Sequence, residues 1–188
     1  MAVKPVLKIG NPILNQISQP VKSINEELKQ GLIQDMLDTM AAENGAGIAA
    51  PQIGVNLRLI IFGIDKNPRY PEAEPVPMTI LINPVVTPLT EDKQTGWEGC
   101  LSVPGYRGKV TRYSRIRYTG VDENGVRMVR VVSGFHAVVV QHEVDHLDGI
   151  LYPQRIADMR EFGLTEELEA AGRMPKINPA VSEALTAS

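Results

Sequence analysis

The sequence predicts an α+β fold: a single domain of antiparallel or mixed sheets packed around one central helix, with a further helix toward each end. Three observations predict it. Two stretches, over about residues 25–42 and 134–147, carry apolar residues at helical spacing. Short apolar or alternating runs stand between them, at Leu57 to Ile64, Met78 to Asn83, Val110 to Val121 and Val126 to Val132. Strands and helices are grouped rather than strictly alternating, which favours sheets with segregated helices over a doubly wound sheet. With 188 residues, 43% hydrophobic and 22% charged, the composition suits one soluble core.

The elements follow in order. Residues 1–22 are punctuated by Pro and Asn and are expected to run extended, wrapping the domain. Ser23-Ile24-Asn25-Glu26 reads as a capping box. Leu28, Leu32, Ile33, Met36, Leu37 and Met40 then make the apolar stripe of the first helix, which should stop at Asn44-Gly45. Gly45 to Gln52 is too small-residued to pack a core by itself and suits close approach by another backbone. Leu57 to Ile64 and Met78 to Asn83 read as buried strands, Asp65 to Pro77 with its prolines as a surface loop, and Val85 to Leu89 as a short strand. Val110 to Val121 and Val126 to Val132 form a hairpin about the turn Asp122-Glu123-Asn124-Gly125, with its arginines on one solvated face. Ser133-Gly134 opens the central helix and Asp148-Gly149 ends it. Val138-Val139-Val140 are poor helix formers, so packing must hold this helix. Residues 156–171 should contain a second polar helix, with Thr165-Glu166-Glu167 as its cap and first turn. Residues 1–173 are taken as one catalytic domain and 174–188 as a loosely ordered tail.

Bulk properties exclude some functions. The net charge is −3 with no basic block, which argues against direct nucleic-acid binding. No apolar run is long enough to span a bilayer, and the first residues have no apolar signal core, so no membrane association and a cytoplasmic location are expected. The single cysteine, Cys100, excludes an internal disulfide; it is either a small buried hydrophobe or a thiolate ligand.

Chemistry concentrates in Gln141-His142-Glu143-Val144-Asp145-His146. On a helix, His142 and His146 lie one turn apart on one face, roughly 6 Å from each other. One divalent cation then reaches both at about 2.0–2.1 Å. On a strand they would be about 13 Å apart, too far for a single ion. Glu143 lies beside such an ion without ligating it, where a general base for an activated water belongs. The spacing leaves three readings open. One is a polar helix face with two ordinary histidines. A second is a small metallopeptidase with Glu161, Glu166 or Glu167 as third ligand. A third is a structural metal site closed by a fourth protein ligand.

Three blocks in order bring the chain close to a known family. Gly45 to Gln52, Glu98-Gly99-Cys100-Leu101-Ser102 and Gln141 to Gly149 resemble the three motifs of peptide deformylase, over roughly residues 5–165. The resemblance implies metal ligation by Cys100, His142 and His146, with Glu143 as general base and then acid. It implies oxyanion donors at the Gln52 side-chain amide and the Leu101 backbone N–H. The implied substrate is the N-formyl-methionyl end of newly made chains, releasing formate, with transient proximity to the ribosome. Gly45, Gly47 and Gly99 would border the peptide groove. Ala46, Phe135, Val138, Val139 and the ring of His142 would line the methionine pocket. Glu98 and Arg107 would order the cysteine loop and the groove, and Asp145 would support a ligating histidine or a neighbouring segment. One divalent ion per chain is implied: Fe²⁺ as the native metal, with Zn²⁺, Ni²⁺ or Co²⁺ able to take its place. The chain departs from the family pattern at Asn44, where an acidic residue is common, at Gly96-Trp97 before Glu98, and in a tail that is not basic.

Overall fold

Leu59–Ile64 carries no polar side chain because both of its faces are covered. In the computed structural model, which describes residues 2–64 and 74–176, this strand lies between two helices. Ile60, Phe62 and Ile64 pack with Ala137, Val140 and Leu147 of the central helix. Leu59 and Ile61 pack on the other side with Leu28, Ile33, Met36 and Met40 of the N-terminal helix. The strand is β2 of a five-stranded antiparallel sheet in the order β1 (Gly47–Ala49), β2, β3 (Val76–Pro88), β6 (Arg115–Val121), β7 (Arg127–Ser133). A three-stranded antiparallel sheet follows the order β4 (Lys93–Cys100), β5 (Val103–Tyr113), β8 (Phe162–Leu164). The helix between the sheets, α2, spans Gly134–Leu147.

The N-terminal helix winds first with i→i+5 bonds over Glu27–Ile33 and continues as α1 (Gln34–Ala42). Its start is capped by Asn25, whose side chain accepts from the Leu28 N–H at 2.9 Å, rather than by the Ser23 capping box. It ends as expected: Asn44 turns left-handed (φ 50°) and the Gly45 N–H returns to the Met40 carbonyl at 2.9 Å. The extended N-terminal segment straps two loops together. The Leu7 N–H donates to the Gln52 carbonyl at 2.7 Å, and the Ile9 N–H to the Ser102 carbonyl at 2.8 Å.

Four expectations are corrected. Met78 to Asn83 and Val85 to Leu89 belong to one strand, β3, with an irregularity at Asn83 (φ 52°), whose side chain bonds both the N–H and the carbonyl of Val21 at 2.9 Å. Val110 to Val121 is two strands in two different sheets, with Ser114 as the corner. The C-terminal helix is short: α3 spans Thr165–Ala170, preceded by β8, and Thr165 donates its hydroxyl to the Gly105 carbonyl at 2.9 Å instead of capping. Of the expected loop at 65–77 and tail at 174–188, residues 65–73 and 177–188 lie outside the described residues; Val76 and Pro77 belong to β3 and Met174 is buried. No helix among the described residues is long and apolar enough to cross a membrane.

Candidate metal centre

Helix α2 divides its circumference among three neighbours, as 100° steps dictate. Ala137, Val140 and Leu147 are fully buried toward the five-stranded sheet. Gln141 and Asp145 face β5. Gln141 accepts from the Tyr113 N–H at 3.1 Å and donates to its carbonyl at 3.0 Å. Phe135, Val138, Val139, His142 and Glu143 face a cavity of about 260 Å³. The helix holds its valines because this packing outweighs their poor propensity.

Cys100 arrives from the end of β4. Its Sγ and one ring nitrogen each of His142 and His146 lie within 4.8 Å of one another. Sγ stands 3.3 Å from His146 Nε2. A tetrahedral ion with bonds of about 2.0–2.3 Å separates its ligand atoms by roughly 3.5 Å, so the three donors fit one divalent cation. His142 Nδ1 lies 2.7 Å from Glu98 Oε2. That contact leaves His142 Nε2 for coordination, with the carboxylate behind the ring that ligating histidines usually have. Burial would raise the Cys100 thiol, but the charges of His146 and His142 and their hydrogen bonds override it and hold it well below the usual thiol range. A thiolate is the form that ligates.

Glu143 is 4% exposed, and its Oε2 has no hydrogen-bond partner. Burial pushes its carboxyl up to about 7, against the opposing pull of His142 and His146. A base with that value exchanges protons readily at neutral pH. Gln52 is 1% exposed, not a surface amide. Its Oε1 accepts from the Ala49 N–H at 2.8 Å, which turns Nε2 toward Ser102 Oγ at 3.1 Å and Cys100 Sγ at 3.5 Å. Leu101 is buried at the tip of the β4–β5 turn, and Lys8 holds its carbonyl at 3.1 Å.

The cavity brings together Gly45, Ala46, Gly47, Gln52, Gly99, Cys100, Leu101, Phe135, Val138, Val139, His142 and Glu143. Gln94, Thr95, Gly96 and Trp97 of β4 form the opposite rim. Small residues serve packing as well as access. A Cβ on Gly47 would overlap the Glu143 carboxylate, and one on Gly99 would overlap the Arg107 guanidinium. Arg107 is 5% exposed and lies behind the cysteine loop rather than along the cavity wall.

The partner of Glu98 is Arg112, which the sequence pattern placed on a wet face. Arg112 is buried and gives two hydrogen bonds to Glu98, at 2.8 and 2.9 Å, and one to Asp145. Asp145 supports neither histidine directly; it accepts from Arg112 and from Arg155, the latter at 2.7 and 3.1 Å. Burial would raise the Glu98 carboxyl, but hydrogen bonds from Arg112 and His142, with their charges, hold it at about 2. Glu161, weighed as a third ligand for a peptidase, is paired with Lys109 at 3.1 Å and Arg173 at 2.9 Å. Arg112 and Arg115, three apart, fall on opposite faces of an alternating run, and it is Arg112, on the face of Val110 and Ile116, that meets the buried carboxylates.

Comparison with known proteins adds an independent line. The model of the polypeptide deformylase family matches residues 3–162. Peptide deformylase 1 of Nitrosomonas europaea is 60% identical over 166 residues, covering 88% of this chain and 94% of that one. Peptide deformylase 1 of Prochlorococcus marinus is 53% identical over 185 residues, 98% and 96% of the two chains. Among solved structures, a class I type b peptide deformylase from Acinetobacter baumannii bound to Met-Ala-Ser is similar with a TM-score of 0.79 and 41% identity, over 82% of this chain and 99% of that one. A peptide deformylase from Synechococcus elongatus in complex with actinonin has a TM-score of 0.76 and 35% identity, over 91% and 88%.

Proposed function

We propose, for a chain that belongs to the peptide deformylase family and is thus a hydrolase acting on peptides, that it removes the N-formyl group from the formyl-methionine that begins newly made proteins, releasing formate. The observation that carries the reading is a convergence. Cys100, His142 and His146, from two separate segments, meet within 4.8 Å, with the carboxylate of Glu143 and the amide of Gln52 beside them. The peptidase reading takes its third ligand from the C-terminal carboxylates, and of these Glu161 is engaged by Lys109 and Arg173.

Cys100, His142 and His146 hold a divalent ion, Fe²⁺ in the native protein; Zn²⁺, Ni²⁺ and Co²⁺ suit the same donors. When bound, the ion makes a water molecule acidic enough to supply a nucleophile near neutral pH. Glu143 accepts the proton of the attacking water and returns it to the departing amine nitrogen. Gln52 Nε2 and the Leu101 backbone N–H donate to the oxyanion formed from the formyl oxygen. β1 and β4 are both sheet edges at the cavity. An extended peptide lies between them and pairs through its main chain. Ala46, Phe135, Val138, Val139 and the His142 ring receive the methionine side chain, with Gly45, Gly47 and Gly99 along the groove and Arg107 supporting the loop from behind. Residues 1–173 act as the catalytic domain, in the cytoplasm, near the ribosome where such chains emerge.

Formate release from formyl-Met-Ala-Ser by Fe²⁺- or Ni²⁺-loaded protein tests this reading. Release is expected from the parent, with near-abolition in Glu143→Ala at unchanged metal content. Equal rates in the two proteins would remove Glu143 from the mechanism. No release from the metal-loaded parent would remove the activity itself.

A further inference from the structure

The two histidine ligands ride on α2, whereas the cysteine rides on β4, in a different layer. Ligand distances therefore depend on how the helix is set against the three-stranded sheet. One side chain touches every part that has to be aligned. Arg112 stands on β5, the strand paired with β4. It gives Nε and Nη2 to the two carboxylate oxygens of Glu98 at 2.8 and 2.9 Å, and Nη1 to Asp145. Glu98 Oε2 in turn meets His142 Nδ1 at 2.7 Å. Asp145 precedes His146 on the helix.

We infer that Arg112 is a positioning residue of the metal centre: through Glu98 it fixes the ring of His142, and through Asp145 it fixes α2 against the sheet that delivers Cys100. This rests on the metal reading above. A guanidinium is suited to the task. Its planar fork satisfies both oxygens of one carboxylate and reaches a second acid in a fixed geometry, which an ammonium cannot do. Arg112 also balances the buried acids: two carboxylates face it, and Arg155, from the rim, supplies the second positive charge. Such a cluster could serve stability alone, because removing one partner of a buried ion pair is costly in any protein. The test therefore needs readouts that a stabilising role would leave unmoved.

Zn²⁺ affinity measured against a chromophoric chelator, together with kcat and KM for formyl-Met-Ala-Ser, provides them. In folded Arg112→Leu protein, the metal dissociation constant is expected to rise about tenfold or more. The kcat should fall while KM stays within about twofold of the parent, because the cavity wall is intact. Arg112→Lys should fall between the two. In a Glu98→Gln background, Arg112→Leu should add less loss than it does in the parent, since one of its two arms is already weakened there. Folded Arg112→Leu protein with parental metal affinity and kcat would overturn the inference, as would losses that simply multiply in the double variant. If Arg112→Leu does not fold, Arg112→Lys decides, and unchanged affinity in that variant overturns the inference. A parent that binds metal but releases no formate would refute the proposed reaction and leave the affinity comparison readable.

Discussion

The two supports of α2 work in opposite ways. Toward the five-stranded sheet the helix is held mainly by shape: Ala137, Val140 and Leu147, all fully buried, lie in one apolar cluster with Ile60 and Phe62, and His136 adds a polar contact, a 3.4 Å pairing with Tyr118. Toward the three-stranded sheet it is held by direction: Gln141 brackets the Tyr113 backbone and Asp145 takes Arg112 and Arg155. Apolar burial is strong but undirected, so it fixes that the helix is there. Hydrogen bonds to charged groups are sensitive to distance and angle, so they fix where its ligands point. Stability and site geometry are thus assigned to different sides of one helix.

Substitutions on each side can break or sharpen that division. Ile60→Ala on the apolar side should cost about 3 kcal/mol, a fall in Tm of roughly 6–12 °C for a chain of this size. Activity per folded, metal-loaded molecule should stay within about twofold; a proportionate loss would mean that apolar packing also sets the site. Gln141→Leu on the directional side strands a backbone N–H and a carbonyl, costing about 1–2 kcal/mol. Despite the smaller cost, it should lower kcat more than Ile60→Ala does, and urea melts beside steady-state kinetics would rank the two.

The smallest effect lies at the start of the helix. His136 sits below the ordinary histidine range because burial and the Arg130 charge both disfavour its cation. The unfolded chain therefore binds this proton more tightly than the folded one. The group costs no stability above its unfolded value, near 6.5, and stability is lost as the pH falls below it. His136→Gln should shrink the drop in Tm between about pH 7.5 and 5.5 without changing the neutral-pH rate. An unchanged drop would assign the acid sensitivity to another group.

The sequence made some of this readable, for identifiable reasons. His142 and His146 were legible because a spacing of four has chemical meaning only on a helix. Gln52 and Cys100 were legible through the resemblance of their short blocks to the family's motifs, and the first block proves to supply core residues, with Ile48, Ala49 and Ala50 fully buried. The α+β class followed from grouped runs of period two and period 3.6. Other features leave no local trace. Apolar residues fall at 110, 113, 116 and 118, an uneven spacing that breaks no more visibly at Ser114 than elsewhere, so the change of sheet there is silent. Arg112 has the parity of buried Val110, Ile116 and Tyr118 rather than that of exposed Arg115 and Arg117, but its partners Glu98 and Asp145 are distant in sequence, so nothing local shows what an inward arginine would meet. β8, at three residues, is too short to show a period.

The corner at Ser114 also joins the two arms that carry the candidate ligands. Its N–H is taken by the Asp92 carbonyl at 2.9 Å, and its own carbonyl accepts the Gly134 N–H at 3.2 Å, where α2 begins. β4, which begins at Lys93 and ends in Cys100, and α2, which begins at Gly134 and carries His142 and His146, therefore start from one crease, and Gln94 ties them there by donating to the Gly134 carbonyl at 2.9 Å. The strand that delivers the cysteine and the helix that delivers the two histidines are thus referred to a common origin, and a shift at that corner would move one against the other.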